Sequence, residues 1–471
     1  MTRGTASVRI RKIVLIAISF SGLGGILYGY DIGIISGALL FMKGSLGLTP
    51  SEMSLIVSAV LGGGSLAILF AGPFADRYGR RMSIILAAAT FIAGVIVLIA
   101  SNGFAMALAG RLIQGIGVGI LTIVVPLYIV EVMPPALRGR SVALFQLCLT
   151  FGILMGYVVG YALNGSGDWR AMFATALIPS IAFLVGGFLL PASPGWLYRR
   201  GRQEEARAAL LQTQHADEAA RTFNEMVELA EQERDRTVGE WRLLLRPGYR
   251  KAFFIALAVG ILNQLTGINT LLQFNTVILH QSGLHGGGAA VLGSVGVGIA
   301  NFVLTLIALL LIDRIGRRPL LIVGTAGVTI ALAFIGIVHA GFPPSAFQGY
   351  ATLGGFIAFI IFFAVGPGTV VWLAISEILP LAIRAKGMAV ALFANSLISA
   401  GLAAAFMSIV GTIGYSGVFF VLAGFVFLYF LIAVFPLPET RGRSLEDIER
   451  HFLGQAAETS VLAQPAAREH G

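Results

Sequence analysis

Charge is what this chain has least of: only 12% of its 471 residues are Asp, Glu, Lys or Arg, while 57% are apolar. That balance excludes a water-solvated globule as the main body and makes lipid the solvent for most of the chain. Cysteine is nearly absent. Cys148 stands alone inside an apolar run, so no disulfide forms within one chain, and the residue reads as a small packing group. The sequence also has no Walker lysine loop, no His–Glu metal spacing and no nucleophile elbow. ATP-driven transport, a metal centre, a bound cofactor and enzymatic chemistry are therefore not expected. The net charge of +9 does not indicate a nucleic-acid partner, because the basic residues fall in short segments between apolar runs, where charge sets membrane orientation.

Apolar runs of about 20 residues predict twelve spans, roughly 13–36, 53–75, 82–101, 104–130, 141–163, 171–190, 252–280, 289–312, 319–340, 348–376, 387–410 and 415–436. The first run follows Arg9, Arg11 and Lys12, is too long for a cleaved signal peptide and carries Asp31, so it is expected to remain as span one. An even number of spans leaves both ends on one side. Linkers holding Arg77, Arg80 and Arg81, then Arg138 and Arg140, then Arg314, Arg317, Arg318, Arg384 and Lys386 alternate with loops almost free of Lys and Arg. This set is expected to face the cytoplasm of a multi-pass protein in the cell (inner) membrane, and both termini with it.

The expected layout is a six-helix half at 1–190, a cytoplasmic connector at 191–251 with helical stretches at Gln203–Gln212 and Arg221–Arg236, a second six-helix half at 252–436, and a cytoplasmic tail at 437–471. Within that tail Ser444–Arg450 reads as helical. Two internal repeats support the halves. Asp76-Arg-Tyr-Gly-Arg-Arg81 returns as Asp313-Arg-Ile-Gly-Arg-Arg318, and Glu131 precedes Arg138 by the same seven residues that separate Glu377 from Arg384. Duplicated halves with a site between them are a known transporter plan. These acids and guanidinium groups either clamp the halves together as a cytoplasmic gate or serve only to set orientation.

Two charges lie within the apolar spans, Asp31 in span one and Arg111 in span four. From the expected span ends, at about 1.5 Å per residue, both sit roughly 9–13 Å below the outer surface, so they meet if the helices are neighbours. An intramembrane charge costs at least about 2.5–3.5 kcal/mol and is usually paired and functional. An Asp–Arg pair that tightens and loosens changes its affinity for a proton; the alternative is a permanent salt bridge that fixes helix register. Gln146, Asn263, Gln264, Asn269, Asn301 and Asn395 put amides inside apolar runs. Amides carry donors and acceptors suited to sugar hydroxyls, although they also serve as glue between helices, and Trp372 adds a flat apolar face. Helix breakers at Thr266-Gly267-Ile268-Asn269 and Gly366-Pro367-Gly368 imply a cavity at that depth. The runs Gly115-Ile-Gly117-Val-Gly119 and Gly296-Val-Gly298 read as close helix packing.

Taken together, Gly29-Tyr-Asp31, Asp76 through Arg81, Gly110-Arg111, Glu131 through Arg138, Pro191-Ala-Ser-Pro-Gly-Trp196, Asn263 through Asn269, Asp313 through Arg318 and Pro438-Glu-Thr-Arg-Gly442 resemble the sugar porter family of the major facilitator superfamily. That family includes bacterial proton–sugar symporters and animal facilitative glucose transporters. The resemblance implies an all-α membrane protein with twelve transmembrane helices in two pseudo-symmetric six-helix bundles, working as a monomer. It implies that Gln146, Gln264, Asn269, Asn301, Trp372 and Asn395 match sugar-contacting positions and that Asp31 with Arg111 matches the symporters' proton-coupling pair. A monosaccharide and a proton are then the expected partners, with uniport or a non-transporting sugar receptor as alternatives. The sequence departs from the family at Asn263, where a glutamine is usual, and at Gln273-Phe274, where a tyrosine pair is common. Ala192 and Gly195 stand where a glutamate and an arginine are usual, which predicts a missing charge contact and a looser inner gate.

Overall fold

The computed structural model describes residues 3–235, 241–285 and 288–441, without the side chains of 3–12, 135, 136, 229–235, 247, 313 and 314. The expected helix at Ser444–Arg450 lies outside the described residues. Helices α1 (Arg3–Leu46), α2 (Pro50–Tyr78), α3 (Arg80–Ile99), α4 (Phe104–Val132) and α5 (Pro135–Ala162) form spans one to five, and α6 (Trp169–Ala174) with α7 (Leu177–Leu189) forms span six. Short helices α8 (Pro194–Arg199), α9 (Gln203–Thr213) and α10 (Ala216–Asp235) fill the connector. They bury Leu197, Leu210 and Phe223 in a small core of their own. The second half holds α11 (Pro247–Leu265), α12 (Ile268–Gln281), α13 (Ala289–Ile315), α14 (Arg317–Gly341), α15 (Ala346–Val365), α16 (Pro367–Ile378) and α17 (Arg384–Val434).

Helix α17 holds the last two spans. Its 51 residues would extend about 77 Å if straight, more than twice the roughly 30 Å apolar core of a bilayer. Gly414 breaks it with φ 69° and ψ 172°, so twelve spans result. Side chains such as Ile178, Leu310 and Ile330, each about 70% exposed, face outward, as lipid contact requires. Among the described residues there is no strand.

The first six spans pack chiefly as α1 on α5, α2 and α3 on α4, and α3 on α7; the second six as α14 on α17 and α15, α11 on α17, and α13 on α15. The halves meet where α2 packs on α17, α5 on α13 and α1 on α12. Glycine permits the closest approaches. A Cβ at Gly29 would lie 1.8 Å from the Leu149 carbonyl oxygen, and one at Gly33 2.3 Å from that of Ile153, so α1 and α5 touch backbone to backbone. Gly115 against Val60, Gly119 against Gly64 and Gly298 against Leu154 and Tyr157 are packing contacts of the expected kind. Gly296 faces open space.

The repeat governs local structure as well as order. The motif glycines, Gly79 (φ 91°) and Gly316 (φ 107°), take a left-handed conformation that turns α2 into α3 and α13 into α14. Span one runs further than expected, to Leu46 rather than 36, because Ala38, Leu39 and Met42 continue its buried face. Asp31 therefore lies deeper from that helix end than the sequence estimate placed it.

Candidate transport site

Asp31 on α1 and Arg111 on α4 meet in the first half: Nη1 lies 2.5 Å from Oδ1, with 0% and 2% of the two side chains exposed. The same nitrogen donates to Gln114 Oε1 at 3.0 Å, and Nε reaches the Ile56 carbonyl at 3.5 Å. The guanidinium also faces the Phe173 ring at 5.6 Å. Gln114, one turn beyond Arg111, was not singled out from sequence; its spacing on the helix was the available signal.

A cavity of about 860 Å³ lies between the halves, and Gln146, Asn263, Gln264, Asn269, Asn301, Trp372 and Asn395 all line it. Six of the seven come from the second half. The amides interlock: Gln264 Nε2 donates to Asn395 Oδ1 at 3.2 Å, Asn269 Nδ2 to Gln264 Oε1 at 3.1 Å and to Ser399 Oγ at 3.0 Å, and Asn395 Nδ2 to the Gly260 carbonyl at 2.9 Å. Asn263 Oδ1 has no protein partner. The expected breakers shape this wall. Gly267 (φ 82°) starts α12 after α11, and Gly366 (φ −106°, ψ −98°) separates α15 from α16. Sequence reading missed Ser399, Thr150 and Thr305, which also line the cavity, because a hydroxyl in a helix more often bonds its own backbone. Tyr28 and Ile32 bring α1 to the wall, but Asp31 and Arg111 are not part of it.

The cavity extends towards the end of the molecule that carries the basic motifs, where Leu127 of α4, Val142 of α5 and Ala385 of α17 line it. At the opposite end the halves are joined. Tyr157 donates to the Leu272 carbonyl at 2.7 Å, Ser36 Oγ and Thr276 Oγ1 lie 2.9 Å apart, and Met407 N donates to Ser54 Oγ at 3.0 Å.

The charged motifs form two matching clusters at the basic end. In the first half Arg80 pairs with Asp76 at 2.8 Å and Glu131 at 3.0 Å and donates to the Ala75 carbonyl at 3.0 Å. In the second, Arg317 pairs with Glu377 at 3.4 Å and donates to the Ile312 carbonyl at 3.3 Å. Arg81 and Arg318 each reach a carbonyl at the end of the last span of their half, Phe188 and Val434, at 2.5 Å. Arg138 and Arg384 each donate to the carbonyl five residues back, both at 3.1 Å. Glu131 bonds Ser193, and Glu377 bonds Thr440 at 2.5 Å. The Arg77 carbonyl accepts from Arg200, and its guanidinium lies over the Tyr78 ring. The side chains of Asp313 and Arg314 lie outside the described residues. Each of these contacts between described residues stays within one half and the segment following it, and so braces that half.

The charge expected to be missing at Gly195 is supplied one helical turn on: Arg199 reaches Glu131 at 3.2 Å and Asp76 at 4.0 Å. At the other departure, Phe274 packs on Phe406 of α17 with ring centroids 4.9 Å apart, and Gln273 is buried beside it.

Twelve spans in two matching bundles, with a cavity between them closed at one end, define a membrane carrier of the major facilitator fold. Residues 17–452 match the family model for sugar (and other) transporters, and the chain belongs to that family. It is 35% identical to the glucose transporter GlcP of Staphylococcus epidermidis, covering 91% of this chain and 94% of that protein. It is 31% identical to the galactose–proton symporter of Escherichia coli, covering 92% and 93%. The xylose transporter XylE of E. coli, in its inward-open conformation, superposes with a TM-score of 0.79 at 27% identity, covering 94% of this chain and all of that one. These relatives are carriers, and the chain is a transporter and not an enzyme.

Proposed function

We propose that this carrier imports a monosaccharide together with a proton by alternating access, with the basic end and both termini in the cytoplasm. The observation that carries the reading is that one helix, α1, serves two tasks: Tyr28 and Ile32 wall the cavity while Asp31 is held by Arg111 at 2.5 Å. An ionised Asp31 ties α1 to α4; a proton on it removes the Coulombic attraction and frees α1 to move relative to α4. If the two conformations bind the proton with different affinity, proton and conformation are coupled by that difference. Sugar hydroxyls would exchange with the amide–amide bonds of Gln264, Asn269 and Asn395 at a net gain of about 1 kcal/mol per bond, which suits a substrate that must also leave. Trp372 offers a face for the ring, and Gln146 reaches the sugar from the first half. The duplicated clusters around Glu131 and Glu377 would meet when the basic end closes.

A facilitator is the second reading, favoured by the absence of the ion pair from the cavity wall: Asp31 and Arg111 would then be a permanent strut. The test of the sugar site is entrance counterflow in proteoliposomes with D-glucose, D-galactose, D-xylose and myo-inositol. At least one is expected to exchange, and Gln264→Ala is expected to slow that exchange by about tenfold or more, since it removes two of the amide bonds. Exchange of none of the four, or native exchange by the variant, would overturn the assignment.

A further inference from the structure

The connector ends on a corner that combines bare apolar side chains with unpaired cations. Residues Trp241–Leu245 form a short 3-10 turn just before α11, and Leu244 anchors it in the core of the second half. Trp241 and Leu245 stay outside that core, 61% and 62% exposed. Between Trp241 and Lys251 the chain carries Arg242, Arg246, Arg250 and Lys251, all exposed, and no acid, the nearest in sequence being Glu240. Among the described residues none of these four cations takes part in an ion pair. The backbone of the corner is fixed: Arg246 N donates to the Leu243 carbonyl at 3.2 Å, and the Arg246 carbonyl accepts from Tyr249 N and Arg250 N, both at 2.9 Å. A second segment reaches the same place. Lys386, in the first turn of α17, holds Nζ 5.4 Å from the centre of the Trp241 ring, and Leu381, just before that helix, is 51% exposed. Water suits the cations but not the indole and leucine side chains, whereas the boundary between headgroups and acyl chains suits both. That boundary is close by, because Phe254, about 10 Å along α11 from Pro247, is already 53% exposed as lipid contact requires.

We infer that this corner binds an anionic phospholipid of the leaflet on the basic side, with Trp241, Leu245 and Leu381 against the upper acyl chains and Arg242, Arg246 and Lys386 around the phosphate. Basic side chains at the membrane surface favour anionic over zwitterionic headgroups, and guanidinium groups meet phosphate through paired N–H donors. The bound lipid fastens the end of the connector and the start of α17 to the membrane surface and fixes the depth at which span seven begins. The site requires only the membrane fold and is independent of the sugar and proton readings above.

Trp241 is the reporter for the test. The native protein and Trp241→Phe are reconstituted in phosphatidylcholine vesicles containing an increasing share of brominated phosphatidylglycerol or brominated phosphatidylcholine. The Trp241 signal is the difference in fluorescence between the two proteins, because Trp169, Trp196 and Trp372 are common to both. Brominated phosphatidylglycerol is expected to quench Trp241 to half at about a third of the share that brominated phosphatidylcholine requires. Arg242→Gln with Arg246→Gln and Lys386→Gln, made in both proteins, should bring the two lipids to the same share. Equal quenching by the two lipids in the native protein, or an undiminished preference in the triple variant, would overturn the site. Quenching by neither would also overturn it, since Trp241 would then lie in water. Excess glycerol 3-phosphate should leave the quenching unchanged; relief by it would make the corner a site for a soluble phosphate ester and overturn the lipid assignment. If the triple variant fails to reach the membrane, Arg242→Gln with Arg246→Gln carries the test, with about half of the preference lost.

Discussion

Asp31→Leu is expected to destabilise the carrier by about 3–5 kcal/mol, visible as a lower Tm of the detergent-purified protein. The guanidinium of Arg111 is fully buried and keeps its charge under any folding condition. Without Asp31 it retains only neutral contacts, to Gln114 Oε1, the Ile56 carbonyl and the Phe173 ring. The reverse change should cost less. After Arg111→Leu the remaining carboxyl escapes an unpaired buried charge by taking a proton. Combining the two changes should recover much of the stability, because both charges are then gone. Asp31→Asn should be milder than Asp31→Leu, since the amide oxygen can still accept from Nη1. A double variant whose loss equals the sum of the single losses would contradict direct pairing.

Gly29→Ala is expected to be more disruptive still, although it adds one methyl group. Its Cβ would lie 1.8 Å from the Leu149 oxygen and 2.8 Å from the Leu149 carbonyl carbon. These atoms belong to the α5 backbone, which has no rotamer to change. Relief requires the helices to separate along a seam that also holds Gly25, Gly33, Gly152 and Gly156 at contact, and it moves Asp31 two residues away. Overpacking of a core typically costs about 1–3 kcal/mol; a collision with immobile backbone should exceed that range and leave little folded carrier at 37 °C. Gly44→Ala is the control, on the same helix with nothing within 4 Å of its Cβ; it should melt at the native temperature or slightly above it. The readout is the fluorescence size-exclusion profile and Tm of both variants, and a native-like Gly29→Ala would refute the seam.

The parts of the fold that were legible in the sequence are those that a bilayer or a repeat enforces. Twelve apolar runs became twelve spans because backbone in lipid must be helical, and the breaks at Gly267 and Gly366 lie next to the cavity-lining Ile268, Asn269 and Gly368. The duplicated motifs gave the two halves, but not the extent of the match: Ser193 and Thr440, each bonding the acid of its own half, share only a Pro-x-Ser/Thr spelling, Pro191-Ala-Ser193 and Pro438-Glu-Thr440, too short to stand out as a repeat. Asp31 and Arg111 were found by their charge and related by depth, even though the estimate for span one ended ten residues short of Leu46. What remained hidden is the direction in which a polar side chain faces. Asn269 borders the cavity while Asn275, less than two turns away, is buried beside Tyr157 of α5, and hydropathy treats them alike. Arg199 was unreadable for a related reason: its reach to Glu131 depends on how α8 docks beneath α4, which no local pattern specifies.

The central claim is that sugar and proton move together through a carrier whose coupling acid is Asp31. The most direct test follows external pH in a lightly buffered suspension of right-side-out vesicles on addition of the transported sugar, comparing native protein with Asp31→Asn. The account predicts alkalinisation by the native carrier and none by Asp31→Asn, with counterflow retained in the variant. Sugar entry into native vesicles without any movement of protons would contradict it and leave the Asp31–Arg111 pair as a structural bridge in a facilitator.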